Sequence, residues 1–148
     1  MYSEGLTRDK TGKRTDKTGK RDLSFSQWHR KFLGNQCYAT DIDFLEYRIQ
    51  PGGTILPKAF IEIKQAHVKQ SKYLCSTNTR AIWQVARQLG MRFFIILYKL
   101  IDKESLKSEF WVWEVSEEKQ FEEYSMDRFH LYFKKFTNEE LIQLFEAL

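Results

Sequence analysis

The feature that most restricts the fold of this 148-residue chain is the segment FFIILYKL, Phe93–Leu100. It is almost continuously apolar over the length of one strand, whereas a strand with one solvated face alternates apolar and polar residues. A strand of this kind is central in its sheet and covered on both faces. The sequence therefore predicts an α/β domain with a mixed central β-sheet flanked by helices.

Helical periodicity places two helices before this strand. The first is predicted over residues 24–33, where Ser24 with Gln27 resembles a capping box and Phe25, Trp28 and Phe32 form one stripe. The second is predicted over Thr77–Leu89, ends at Gly90, and places inward Ile82, Val85, Ala86 and Leu89. With strands between and after them, including Phe110–Val115, the core order is α-β-β-α-β-β. A capped helix is expected from Thr137, whereas residues 117–136 show no clear pattern.

The two strands between the helices alternate with period two. They cover Tyr38–Arg48 and Lys58–Lys64, joined by a loop over residues 50–54. In an antiparallel hairpin around this loop, paired residue numbers add to about 105. On one face, that register places Asp43 opposite Glu62 and Asp41 opposite Lys64. On the other face it pairs apolar residues, Ile42 with Ile63 and Phe44 with Ile61. We expect helices to cover the apolar face and the polar face to lie on the other side of the sheet.

Charge is distributed unevenly along the chain. Residues 1–101 carry 18 Lys and Arg against 8 Asp and Glu, whereas residues 102–148 carry 6 against 12. A basic portion of this kind is suited to a polyanion, and an acidic tail to solvent or a protein partner. Residues 1–21 contain DKTGKR twice, and we predict that they form a disordered basic arm before a single folded domain over 22–148.

Several classes of protein are disfavoured by composition. No apolar run approaches the roughly 20 residues of a membrane span, and the N-terminus has no apolar signal core, so we expect no membrane partner and a cytoplasmic, intracellular protein. The two cysteines, Cys37 and Cys75, are too few for a disulfide framework, and the three histidines have no zinc-ligand spacing with them.

Carboxylates on the two hairpin strands indicate a cation site. Opposed side chains lie about 5 Å apart at Cβ, and two carboxylates that close repel each other unless a proton or a cation lies between them. Magnesium takes oxygen ligands and commonly binds one or two carboxylates beside a substrate phosphate. A lysine at position 64 would orient or deprotonate an attacking water while the metal neutralises charge on the phosphoryl oxygens. This pattern favours phosphodiester hydrolysis.

An Asp on one strand followed by Glu-x-Lys on the next resembles the PD-(D/E)XK nuclease superfamily, and residues 22–100 look like its small phage-type members. The resemblance implies a restriction-endonuclease-like core and Mg²⁺- or Mn²⁺-dependent cleavage of nucleic acid, with DNA favoured over RNA and a phage or virus as one source. It implies Asp43 and Glu62 as metal ligands, joined by the Ile63 carbonyl and Asp41, and Lys64 as the catalytic lysine. Gln84 on the second helix would be a further site residue.

The chain departs from the superfamily pattern in two respects. The proline of the motif is absent, since Thr40 precedes Asp41 and Ile42 precedes Asp43, so which aspartate is the primary ligand stays open. The first helix also lacks the carboxylate that many members use, which leaves a catalytically inactive nucleic-acid-binding module or a protein-interaction domain as alternatives. Six basic residues either contact phosphates or are ordinary surface charge. They are His29, Arg30, Lys69, Lys72, Arg80 and Arg87. A homodimer is compatible with cleavage of both strands of a duplex.

Overall fold

The computed structural model describes residues 7–8, 14–15 and 23–148, which fall into two compact units, 1–41 and 42–148. In the first unit Thr7–Arg8 (β1) pairs antiparallel with Arg14–Thr15 (β2), and Ser24–Leu33 forms helix α1. The remainder of the basic arm expected over 1–21 lies outside the described residues.

Helix α1 has the predicted bounds but not the predicted start. Its N-cap residue is Leu23, whose side chain forms no capping hydrogen bond, so the prediction of Ser24 as the N-cap residue is wrong. The aromatic stripe is exposed, at 73% for Phe25, 48% for Trp28 and 63% for Phe32. Neighbouring rings of this stripe contact one another, with centroids 5.6 and 5.7 Å apart.

The second unit contains a mixed five-stranded sheet. Its strands are β3 (Phe44–Ile49), β4 (Ile55–Gln65), β5 (Arg92–Leu100), β6 (Ser108–Glu114) and β7 (Lys134–Phe136), in that spatial order. Strands β4 and β5 are parallel, and the other neighbours are antiparallel. The helices are α2 (Ser71–Leu74), α3 (Thr77–Gln88), α4 (Lys119–Glu123), α5 (Phe129–Tyr132) and α6 (Asn138–Glu146). None of the helices in the described part of the chain is long and apolar enough to cross a membrane.

Helices cover both faces of this sheet. One face, here called the α3 face, packs on α3 through Phe60, Phe93, Ile95, Leu97 and Trp113. The opposite face, the α6 face, packs on α6 through Ala59, Ile61, Phe94, Ile96 and Val112. The burial of residues 93–97 confirms β5 as a strand covered on both sides. The predicted polar face is the α3 face, so the expectation that it lies away from helices is wrong.

Helix α3 is rotated relative to its predicted orientation. It buries Thr79, Ile82, Trp83 and Ala86, whereas Val85 and Leu89 are exposed. The Trp83 indole reaches across the core and donates a hydrogen bond from Nε1 to the Val115 carbonyl at 3.1 Å. Burial of this large ring with a satisfied donor outweighs burial of a valine, which accounts for the difference.

The segment 117–136, which has no sequence pattern, folds around one indole. Trp113 is 2% exposed, and its ring lies 5.0–5.8 Å from four aromatic rings of this segment, those of Phe121, Tyr124, Tyr132 and Phe133. Strand β7 then extends the sheet, and Thr137 and Glu140 form the predicted capping box of α6. The rings between Phe121 and Phe133 therefore complete the α3-face core, whereas Phe136 and α6 pack on the α6 face.

The β3–β4 hairpin has the predicted register near its open end. Phe44 pairs with Ile61 and Glu46 with Ala59, as the sum of about 105 requires. Closer to the loop a β-bulge leaves Lys58 unpaired, and Tyr47 lies opposite Pro57. Because β3 begins at Phe44, the strand pairs predicted for Asp41 with Lys64, Ile42 with Ile63 and Asp43 with Glu62 are absent from the ladder.

Candidate metal centre

Asp43 lies immediately before β3, where the ladder between β3 and β4 ends. Its Oδ2 accepts a hydrogen bond from the backbone N–H of Ile63 at 3.0 Å. This N–H faces β3, and in a longer ladder a backbone carbonyl of β3 would accept it. The carboxylate replaces that carbonyl, so Asp43 is held at the end of the strand by β4 itself.

Glu62 lies in the middle of β4 and points to the α3 face. Only 6% of this residue is exposed, since β4 lies between β3 and β5 and α3 packs on the same face. Burial, and after it the charge and a side-chain hydrogen bond of the neighbouring Asp43, together raise the pKa of Glu62 from its ordinary value of 4.5 to about 7. The Asp43 carboxylate therefore lies close enough to Glu62 to act on its pKa.

Lys64 follows two residues later on the same face of β4. Its side chain is half-buried, and its positive charge lies close enough to Glu62 to lower the pKa of that carboxyl, which partly opposes the effect of burial. Within the part of the chain that the structure describes, no carboxylate pairs with the Lys64 ammonium as a salt bridge. The ammonium is thus available to a ligand beside the two acids.

The donor set fits a hard divalent cation. A carboxyl whose pKa is raised by burial and by a neighbouring carboxylate gains from a cation that neutralises both charges. The Ile63 carbonyl lies at the same edge of β4 as the N–H that Asp43 accepts, which adds a neutral oxygen. No group of three or more His, Cys, Asp or Glu that could hold a metal occurs among the described residues. Water would fill the remaining positions, as magnesium prefers.

The other predicted site residues are placed less closely. Gln84 is half-buried at the border of the buried stripe of α3 and forms no hydrogen bond to Glu62 or Lys64 in the described region. Asp41, His29 and Arg30 belong to the first unit, residues 1–41, and their roles stay predictions.

The four basic residues that follow the motif have contacts of their own. Arg80 forms a 3.3 Å salt bridge with Glu122. The other three lie over aromatic rings, with cation-to-centroid distances of 4.6 Å for Lys69 on Phe129, 5.0 Å for Lys72 on Tyr73 and 5.4 Å for Arg87 on Trp83. These contacts orient the side chains without neutralising the lysines, and phosphate binding by this group stays a prediction.

Sequence reasoning missed two features of the site. The backbone N–H of Ile63 fixes Asp43, and no side-chain pattern indicates such a bond. Tyr124 supports the segment after β4 by donating its hydroxyl to the Lys69 carbonyl at 2.6 Å from 55 residues away. A contact of that sequence separation has no local signal.

Comparison with known proteins provides no further assignment. No family model, no curated protein and no solved structure matches the chain. The chemistry of the site therefore rests on its own residues: two neighbouring carboxyl groups, a backbone carbonyl and an ammonium at the open end of the hairpin.

Proposed function

We propose that this chain is a divalent-metal-dependent nuclease that hydrolyses phosphodiester bonds in nucleic acid, with DNA as the favoured substrate. The observation that carries the proposal is the buried Glu62 carboxyl beside Asp43, which the Ile63 N–H holds at the edge of β4, with Lys64 next along the same face as Glu62. Burying an acid beside a second acid destabilises the folded protein, so the arrangement is understandable as a binding site for a cation.

Each residue has a defined part in this proposal. Asp43 and Glu62 would hold Mg²⁺ or Mn²⁺ together with the Ile63 carbonyl, and Asp41 is a further candidate ligand. When bound, the metal supplies neutralisation of the charge that develops on the phosphoryl oxygens. The Lys64 ammonium donates hydrogen bonds that orient the attacking water or a phosphate oxygen. The hydrogen bond from Ile63 keeps the Asp43 carboxylate in place.

The order of the elements supports membership of the PD-(D/E)XK superfamily as part of this proposal. The Asp precedes one strand, Glu-x-Lys lies on the antiparallel neighbour, and α3 then connects to the parallel strand β5. The excess of positive charge over residues 1–101 supports a polyanionic substrate.

The test is cleavage of labelled single-stranded, duplex and branched DNA, and of matching RNA, in Mg²⁺, Mn²⁺ or EDTA. The parent chain is compared with Glu62→Gln and Lys64→Ala. Glu104→Gln and Lys103→Ala are matched controls, because they make the same chemical changes at exposed loop positions. We expect metal-dependent cutting by the parent and both controls and loss of cutting in both site variants. Equal cutting by parent and site variants would refute the proposed site.

A non-catalytic nucleic-acid-binding module is the second candidate. The observation in its favour is that the described residues supply two neighbouring carboxylates and no group of three or more metal-ligating side chains. This candidate predicts metal-dependent binding of nucleic acid, measured by fluorescence anisotropy, with no cutting on any of the substrates above. Failure to bind both metal and nucleic acid would exclude both candidates and favour a protein-interaction domain.

A further inference from the structure

Among the described strands, β3 lies at the edge of its sheet, with a row of backbone groups along its outer side. The Gln50 N–H donates to the Thr54 carbonyl at 2.8 Å across the hairpin loop, so Gln50 faces β4. Since N–H and C=O groups alternate sides along a strand, Glu46 and Arg48 also face β4, whereas Leu45, Tyr47 and Ile49 face outward. In agreement, the Tyr47 carbonyl accepts a hydrogen bond from the Arg48 guanidinium at 3.0 Å. No described strand pairs with this outer edge.

The side chains along this edge do little to prevent pairing. Leu45, Tyr47 and Ile49 share one face and are 45%, 49% and 69% exposed. Edge strands usually avoid association through lysines, prolines, bulges or very short length. Strand β3 has six residues, and its bulge lies on the β4 side of the hairpin. Its two charged residues, Glu46 and Arg48, already form a salt bridge of 2.8 Å with each other.

The charge order of β3 selects one self-pairing register. In a two-fold antiparallel pair, a centre at Glu46 places glutamate opposite glutamate, and a centre at Arg48 places arginine opposite arginine. A centre at Tyr47 places Glu46 of each copy opposite Arg48 of the other, in the closely spaced non-hydrogen-bonded position. It also places Leu45 opposite Ile49 twice, so that the outward backbone groups meet and the apolar row is continuous.

We propose that β3 pairs antiparallel with β3 of a second copy of this chain, with the two-fold axis at Tyr47. The two five-stranded sheets then join edge to edge, and the contact is isologous, as closed dimers require. The proposal depends on β3 alone and stands or falls independently of nuclease activity.

Sedimentation equilibrium of the full chain over a range of concentrations tests the pairing. We expect the parent to show a concentration-dependent monomer–dimer equilibrium. Glu46→Arg and Arg48→Glu, each alone, place like charges opposite each other, so each should weaken dimerisation at least tenfold. An equimolar mixture of these two variants again sets every cation opposite an anion, and its dimer should return to within a fewfold of the parent's affinity.

Two further variants separate this contact from misfolding. Arg48 also donates to the Phe145 carbonyl, so circular dichroism must show that Arg48→Glu is folded. Tyr47→Lys removes no side-chain hydrogen bond to α6 and places two lysines opposite each other at the two-fold axis. It should therefore also abolish the dimer. Ile142→Lys on α6 is the matched control, since Ile142 is 49% exposed and lies outside β3. A monomeric parent, a dimer insensitive to the β3 variants, or a mixture that fails to associate would overturn the proposal.

Discussion

Replacing Glu62 with glutamine should stabilise the folded protein at neutral and alkaline pH. The pKa of Glu62 is raised from 4.5 to about 7 by burial and by Asp43, so the folded protein binds this proton more tightly than the unfolded chain does. The contribution of Glu62 to stability is therefore most favourable below pH 4.5, declines as pH rises to 7, and is fully lost above it. The pKa difference corresponds to a loss of about 3 kcal/mol. Glutamine has a similar shape and carries no charge, so Glu62→Gln avoids the loss.

Urea unfolding of parent and variant in EDTA, at several pH values between 4.5 and 8.5, measures this effect. The two proteins should have similar free energies of unfolding near pH 4.5, and the variant should be more stable by up to about 3 kcal/mol at pH 8. The control Glu104→Gln should show no pH-dependent difference. Added Mg²⁺ should stabilise the parent at pH 8 and leave Glu62→Gln unchanged. A difference that does not depend on pH, or a variant less stable than the parent at pH 8, would refute this account of Glu62.

Three further substitutions probe the site and its support, each measured by chemical unfolding. Asp43→Ala removes the acceptor of the Ile63 N–H and should lower the free energy of unfolding by about 1–3 kcal/mol. Asp43→Asn keeps an acceptor oxygen and should lower it by less. Equal losses in the two variants would contradict the role of this hydrogen bond. Trp113→Ala empties the centre of the aromatic cluster and should cost about 3–5 kcal/mol, and a loss below 1 kcal/mol would show that the cluster is not packed as described. Thr137→Ala removes the cap that accepts the Glu140 N–H and should cost about 1 kcal/mol, with Thr137→Ser expected to restore most of it.

The fold was predictable where one residue pattern determined one element. The apolar run at 93–97 identified the central strand because only a strand covered on both faces tolerates it. Alternation in two neighbouring segments defined the register that pairs Phe44 with Ile61, since a shift by one residue would expose the whole apolar set. The same register predicts Asp43 beside Glu62, and in the structure Asp43 lies just beyond the end of the ladder, where its carboxylate accepts the Ile63 N–H.

The remaining features depend on contacts between distant residues. The orientation of α3 follows from Trp83 reaching Val115, and the segment 117–136 takes its shape from rings that surround Trp113. Strand β3 begins at Phe44, after Asp43, whose side chain accepts the Ile63 N–H in place of a backbone carbonyl. A period-two sequence pattern does not reveal this substitution. Burial of the acidic face has the same origin in part, because the aromatic rings of Phe121, Tyr124 and Phe133 that complete its core lie far from the hairpin in sequence.

The bulge in the hairpin determines where the chain tolerates a change of length. Lys58 is the residue of β4 without a partner on β3, so its deletion would convert the bulge into regular pairing and leave Asp43 beside Glu62. Deletion of Phe60 instead falls between the bulge and the acids and would turn Glu62 and Lys64 toward the α6 face. Deletion of Lys58 therefore only shortens β4, whereas deletion of Phe60 moves Glu62 and Lys64 away from Asp43. Among proteins descended from a common ancestor with this chain, gaps in the hairpin should accumulate at Lys58 and in the loop over residues 50–54, and should be absent between Ala59 and Lys64.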